Sequence, residues 1–171
     1  MAEKIKTPKK LIPKGGNDRV YTPDWLAEAI VNHFKPFGSC LEPCKGGGAF
    51  VRAMKKFGIT DIDTMEIDEG DDFLNDILFR QYNWSISNWP WSKFRAFLKG
   101  NLRVADNIVT LTTVNHVISL KARLRDIKEA GYFVREILFM DTPKEFPQSG
   151  FALGAILLNK EAGDCKFSYL K

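Results

Sequence analysis

The sequence predicts an α/β fold built on a mostly parallel sheet, and three observations carry that expectation. Strand-like and helix-like segments alternate along most of the 171 residues. The glycine cluster Lys45-Gly46-Gly47-Gly48 follows closely on the short apolar run Ser39-Cys40-Leu41, as at the carboxyl end of a strand that turns into a helix. The run Asn107 to Val114 (NIVTLTTV) is rich in β-branched residues and reads as a strand buried on both faces.

Thr22-Pro23-Asp24 opens an amphipathic segment, Trp25 to Phe34, in which Leu26, Ile30, Val31 and Phe34 recur at helical spacing. Pro36 and Gly38 end it, and Ser39 to Leu41 leads into Glu42-Pro43 as the first strand. Ala49 to Phe57 is a second, basic helix that Gly58 breaks. From Thr60 to Ile67 the side chains alternate as in a second strand, before an acidic turn. Asn83 to Ser87 gives a third strand, and Lys93 to Leu102 and Leu120 to Ala130 give helices, Gly131 stopping the second of these. Phe133 to Met140 and Phe151 to Leu158 are strands with no helix-length segment between them. They are therefore expected to pair as an antiparallel hairpin at one edge of the sheet, with a long loop holding Pro143 and Pro147.

The length suits one domain: a basic flexible arm over residues 1–19 and a single folded unit over 20–171. A hydrophobic content of 44% with 27% charged residues excludes wholesale disorder. The formal charge of +4 allows a polyanionic partner without requiring one. Lys4, Lys6, Lys9, Lys10, Lys14 and Arg19 crowd the arm, which either touches phosphates or solubilises the chain. Cys40, Cys44 and Cys165 lack CxxC spacing, and His33 and His116 lie far apart, so no zinc site is expected and reduced thiols in a cytoplasmic protein fit better. An apolar signal core and a run of membrane-spanning length are both absent from the sequence, and no membrane partner is expected.

Without Cβ atoms, Gly46 and Gly48 would let a ligand press against the backbone. Glu66, twenty positions after Gly46 at the end of the next strand, is placed to bind two ribose hydroxyls with one carboxylate. Both features serve any nucleoside cofactor. Val51 stands where the dinucleotide fingerprint wants its third glycine, which disfavours NAD. A tight ligand-free connection and a solvated acid among Asp68, Glu69, Asp71 and Asp72 remain the plainer readings of each feature alone.

Four stretches in order, NDRVYTP (Asn17 to Pro23), LEPCKGGGAF (Leu41 to Phe50), MEID (Met65 to Asp68) with DDFL (Asp71 to Leu74), and SNWPW (Ser87 to Trp91), resemble the successive motifs of S-adenosylmethionine-dependent amino-methyltransferases. The likeness is to DNA adenine-N6 methyltransferases, and SLKARLRDIKEAG and FPQSGFALGAILL extend it to small phage or prophage members. The resemblance implies a Rossmann-like class I methyltransferase with a seven-stranded sheet, S-adenosylmethionine as cofactor, nucleic acid as partner with DNA ahead of RNA, and a monomer or homodimer in the host cytoplasm. No long segment remains for a separate target-recognition domain. Carried over by position, Tyr21, Thr22 and Pro23 would lie near the methionine moiety, and Glu42, Cys44, Gly46 and Gly48 around its amino-acid end and sulfonium. Glu66 would hold the ribose, Asp72 would accept from the cofactor's adenine amine, and Phe73 would lie against that adenine.

An exocyclic amine is a poor nucleophile because its lone pair is delocalised into the ring. The resemblance implies two acceptors that localise that pair, the Asn88 side chain and the backbone carbonyl of Trp89, so that positive charge can develop on the nitrogen. The base must be flipped out or single-stranded, with Trp91 stacked on it and Phe146, or else Phe151, covering the other face. This chain carries Trp89 where the family pattern has proline. Pro90 still restrains Trp89, and a packed indole would restore the lost stiffness. Lys93, Arg95, Lys99, Arg123 and Arg125 are candidate phosphate contacts, with plain solvated charge as the alternative. The same acceptors also suit an RNA base or a protein glutamine amide, and a non-catalytic nucleic-acid-binding or inhibitor protein on this fold is the reading from another class.

Overall fold

The computed structural model describes residues 20–76 and 80–170; the basic arm lies outside these. The chain runs α1 (Asp24–Phe34), β1 (Cys40–Glu42), α2 (Ala49–Phe57), β2 (Ile62–Thr64), β3 (Tyr82–Ser87), α3 (Phe94–Val104), β4 (Ala105–Thr113), α4 (Asn115–Ile118), α5 (Lys121–Glu129), β5 (Phe133–Met140), β6 (Leu153–Asn159) and β7 (Lys166–Tyr169). One sheet takes all seven strands in the order β2-β1-β3-β4-β6-β5-β7. Strands β1 to β4 are mutually parallel, β6 is antiparallel to both β4 and β5, and β7 is parallel to β5.

The period of two along each strand sends neighbouring side chains to opposite faces, and two apolar clusters result. Trp84, Ile86, Val109 and Leu111 join Leu26, Ile30 and Phe34 of α1 and Phe50 and Met54 of α2 on one face. Leu41, Tyr82, Ile108 and Ile137 join Phe94, Phe97 and Leu98 of α3 and Ile127 of α5 on the other. A strand covered by helices on both sides must be apolar throughout, which is why NIVTLTTV reads as it does. Two polar side chains inside are paired with each other and with the backbone: Ser85 Oγ donates to Asn101 Oδ1 at 2.6 Å, and Asn101 Nδ2 donates to Phe97 O at 2.8 Å.

The helix limits follow the sequence signals. Pro23 caps α1 and its carbonyl accepts from Leu26 and Ala27. Gly58 closes α2 in the left-handed region, φ 104°, with its N–H on the carbonyls of Met54 and Lys55. The predicted antiparallel pair forms, with Ile137 opposite Ile156, but it sits one strand in from the edge. The last strand, KFSY, was not among the predicted elements: four mostly exposed residues bury too little to leave an apolar pattern. Thr60 to Ile67 shortens to three paired residues, because β2 is an edge strand and the chain leaves it for a 3₁₀ turn at Ile67–Glu69. No helix among the described residues is long and apolar enough to cross a membrane.

The parallel strands end along one edge of the sheet, and β1 lies between β2 and β3 there. Loops leaving β1 and β3 diverge toward opposite faces, and the crevice between them is where open α/β sheets place ligands.

Candidate active site

That crevice holds a cavity of about 280 Å³. Its wall takes Tyr21, Cys44, Gly46, Glu66, Asp72, Phe73, Asn88 and Pro90 from residues singled out in the sequence, and also Lys93. Val20, Pro43, Ile67, Asp68, Asp71, Leu74 and Phe97 complete it. A smaller hollow of about 40 Å³ beside it shares Tyr21, Cys44, Gly46 and Asn88 and adds Thr22, Glu42 and Gly47. Segments up to 77 positions apart in sequence thus meet at one place because strand order, not sequence distance, sets their spacing.

The turn after β1 is pinned by two carboxyls. Glu42 Oε1 accepts from Cys44 N at 3.2 Å, and Glu66 Oε2 accepts from Gly46 N at 2.6 Å. Gly46 has φ 49° and Gly48 has φ 77°, conformations in which a side chain is strained. A Cβ on Gly46 would stand 3.4 Å from the Tyr21 ring, so bare backbone there leaves the space open. Gly48 caps α2 and Pro23 caps α1, and neither lines a cavity wall.

The amide of Asn88 is fixed by its nitrogen: Nδ2 donates to Val20 O at 3.1 Å, which leaves the amide oxygen as the accepting end. Beneath it, Cys44 Sγ lies 3.0 Å from Ser87 Oγ and donates to Asn88 O at 3.5 Å. Glu42 is 1% exposed; burial pushes its carboxyl up to about 8 against the opposing hydrogen bonds from Ser87 and Cys44. Burial also pushes the Cys44 thiol well up, with Glu42 adding to it. These are the properties of a neutral, hydrogen-bonded wall. On the opposite side, Asp72 is held below the usual carboxylate range by the Leu74 N–H and the Asn75 amide.

Trp89 is 1% exposed and lies outside the cavity wall. Its indole packs on Phe94 at 5.1 Å and Phe97 at 6.3 Å between ring centres, so the ring is spent on the core and does not plug the cleft. Its Nε1 has no partner among the described residues.

Three sets of expected contacts lie away from the cavity wall or are engaged elsewhere. Phe146 is 2% exposed and belongs to the core beside α1 and α2, because Pro143 O accepts its N–H and the turn folds the ring inward. It has no free face for a base. Phe151, the alternative, is 57% exposed two residues before β6, where Ala152 O accepts from Val114 N. Trp91 is half-buried, off the cavity wall, and meets His116 edge-on at 5.4 Å. The supposed phosphate contacts are largely engaged: Arg95 grips Asp126 with two bonds of 2.6 and 2.9 Å, Lys99 stands 3.8 Å from it and Arg125 3.9 Å from Glu129. Arg123 bonds His116 O and covers the Phe94 ring.

Ser87 and Val20 are site residues that sequence reasoning missed. Ser87 had a signal, as the first letter of SNWPW on an otherwise apolar strand end; a backbone carbonyl such as that of Val20 leaves none.

No protein-family profile and no curated protein matches this sequence. Solved structures do match in fold. A Listeria monocytogenes protein provisionally assigned to the class I S-adenosylmethionine-dependent methyltransferases has a TM-score of 0.67 at 12% identity over 90% of this chain and 66% of its own. A Pyrococcus horikoshii protein provisionally described as an RNA methyltransferase scores 0.60 at 14% identity over 80% of each chain. The M protein of the type I restriction enzyme EcoKI scores 0.64 at 11% identity over 86% of this chain and 45% of its own. This chain thus spans about two thirds of the first and under half of the last. The seven-stranded, mostly parallel sheet is that of Rossmann-like class I methyltransferases.

Proposed function

We propose that the protein binds S-adenosylmethionine in the cleft after β1 and transfers its methyl group to an exocyclic amine, the N6 of adenine in DNA. One observation supports this above the rest: the glycine turn, Glu66, the Asp72-Phe73 pair and Asn88-Pro90 line a single cavity. The cavity fits such a cofactor. Bare backbone at Gly46 leaves room beside Tyr21, Glu66 offers a carboxylate for ribose hydroxyls, and Phe73 and Ile67 offer apolar surface for a purine.

When bound, the cofactor supplies an activated methyl on a sulfonium, and no further activation of that carbon is needed. The protein's own part is to hold and polarise the amine. The Asn88 amide oxygen and the backbone carbonyl of Trp89 would accept hydrogen bonds from its two N–H groups, favouring the nitrogen lone pair and the charge that grows on it, and the methylated nitrogen then loses one proton to water. Val20 O fixes the first acceptor; Pro90 and the packed Trp89 indole fix the second. Phe151 is the ring free to cover a flipped base, and Trp91 reaches one only after a rotation away from His116. Lys99 and Arg125, the more exposed cations, remain candidates for phosphate contact, as does the basic arm.

DNA is preferred over RNA on the likeness to the EcoKI M protein, and the asparagine at 88 favours adenine over cytosine; the likeness to the Pyrococcus protein makes RNA the second reading. Incubation with labelled S-adenosylmethionine and single-stranded DNA, duplex DNA or RNA separates these. Label is expected in DNA adenine, falling by about 10²–10³-fold with Asn88→Ala. Cofactor binding with no transfer to any polymer would favour a non-catalytic protein on this fold.

A further inference from the structure

We infer that Gly100 positions the base-facing end of the cofactor cavity, by leaving its Cα bare so that the Phe73 ring, and with it the turn carrying Asp72, seats against α3. This rests on the reading of the cavity as an S-adenosylmethionine site. Gly100 is buried inside α3, where glycine weakens a helix relative to alanine. Its φ is not left-handed, so the backbone gives no reason for glycine there.

The space around it gives one. A Cβ on Gly100 would stand 2.6 Å from Phe73 Cε1 and 2.9 Å from Cζ, well inside carbon contact distance. The Phe73 ring is 6% exposed and stacks on Phe97, one helical turn before Gly100, at 5.4 Å and 26°. Phe73 and Phe97 both line the cavity, so the side toward which the ring would yield is the space a purine would fill.

Residues 71–76 belong to no helix or strand. Their own bonds shape the turn: Asp72 Oδ1 accepts from Leu74 N at 2.9 Å, and Asp72 O accepts from Asn75 N at 3.0 Å and Asp76 N at 2.7 Å. None of these reaches beyond the turn. Asp71 N donates to Glu66 O at 3.2 Å and Leu74 packs on the core, and the Phe73 ring against Gly100 and Phe97 adds the tie next to Asp72.

The test is a double-mutant cycle of Gly100→Ala and Phe73→Leu, read by melting temperature and by the S-adenosylmethionine dissociation constant. In the natural background Gly100→Ala is expected to weaken cofactor binding about tenfold and to lower the melting temperature. Leucine lacks Cε1 and Cζ, so in the Phe73→Leu background the same change should raise the melting temperature, as helix propensity alone dictates, and leave the dissociation constant within about twofold. Equal shifts in both backgrounds, or unchanged affinity in Gly100→Ala, overturn the inference. Should the natural protein bind no S-adenosylmethionine, the proposed function falls, and the sign reversal in melting temperature still decides whether Gly100 seats Phe73.

Discussion

Two glutamates end neighbouring strands on the same side of the cleft's glycine turn, yet they work under opposite conditions. Glu42 closes β1, inside the sheet, and is 1% exposed with its carboxyl pushed up to about 8. Glu66 follows β2, the edge strand, and is half-buried among Asp68, Asp71 and Asp72. Both accept a backbone N–H from the turn, at Cys44 and Gly46 respectively. One strand's displacement across the sheet thus separates a dry wall, where burial pushes the carboxyl up, from a wet wall that offers hydrogen-bond acceptors. Residue type does not set the role of a carboxyl; strand order does, by deciding how much water reaches it.

The largest way to break the contrast is to open the dry wall from behind. Trp89→Ala removes the indole on which Phe94 and Phe97 pack and should destabilise the protein by about 3–5 kcal/mol, measured by chemical denaturation. Stability unchanged within about 1 kcal/mol would mean the core closes without it.

Glu42 comes next. Its carboxyl has a folded-state value raised from 4.5 to about 8, so below 4.5 both states are protonated and burial carries no charge penalty. As pH rises through that interval the unfolded chain ionises first, and stability falls until it levels off above about 8. Between pH 6 and 8 the loss is on the order of 2 kcal/mol, and Glu42→Gln, which keeps an oxygen for Cys44 N, should flatten it. An equal slope in both proteins would assign the pH dependence elsewhere.

The smallest effect is expected at the wet wall. Glu66→Ala removes a solvent-accessible acceptor and its bond to Gly46, and should weaken S-adenosylmethionine binding about tenfold in calorimetry. Its stability should shift by less than about 1 kcal/mol, unlike that of the dry wall. A stability loss as large as that of Trp89→Ala would erase the distinction between the walls.

Much of this architecture was legible from residues alone. The limits of α2 at Ala49 and Phe57 follow from the glycines on either side, and the antiparallel pairing of β5 with β6 follows from a connection with no room for a helix. The cleft's lining was legible where motifs named it, at Cys44, Gly46, Glu66, Asp72 and Asn88. Where reading failed, the missing information was three-dimensional. Phe146 and Phe151 stand five residues apart in one loop, and only the folding of the Pro143 turn buries the first and exposes the second. Arg95 reads as a free cation until α5 brings Asp126 against it.

Local sequence therefore determined which segments become helices and strands, where they stop, and which backbone positions need glycine, because these depend on spacing of apolar side chains and on φ. Tertiary structure decided that burial pushes the Glu42 carboxyl up, that Trp89 belongs to the core, and that Gly100 faces Phe73. Those outcomes depend on desolvation and close packing between segments distant in the chain, quantities that no single stretch of residues contains.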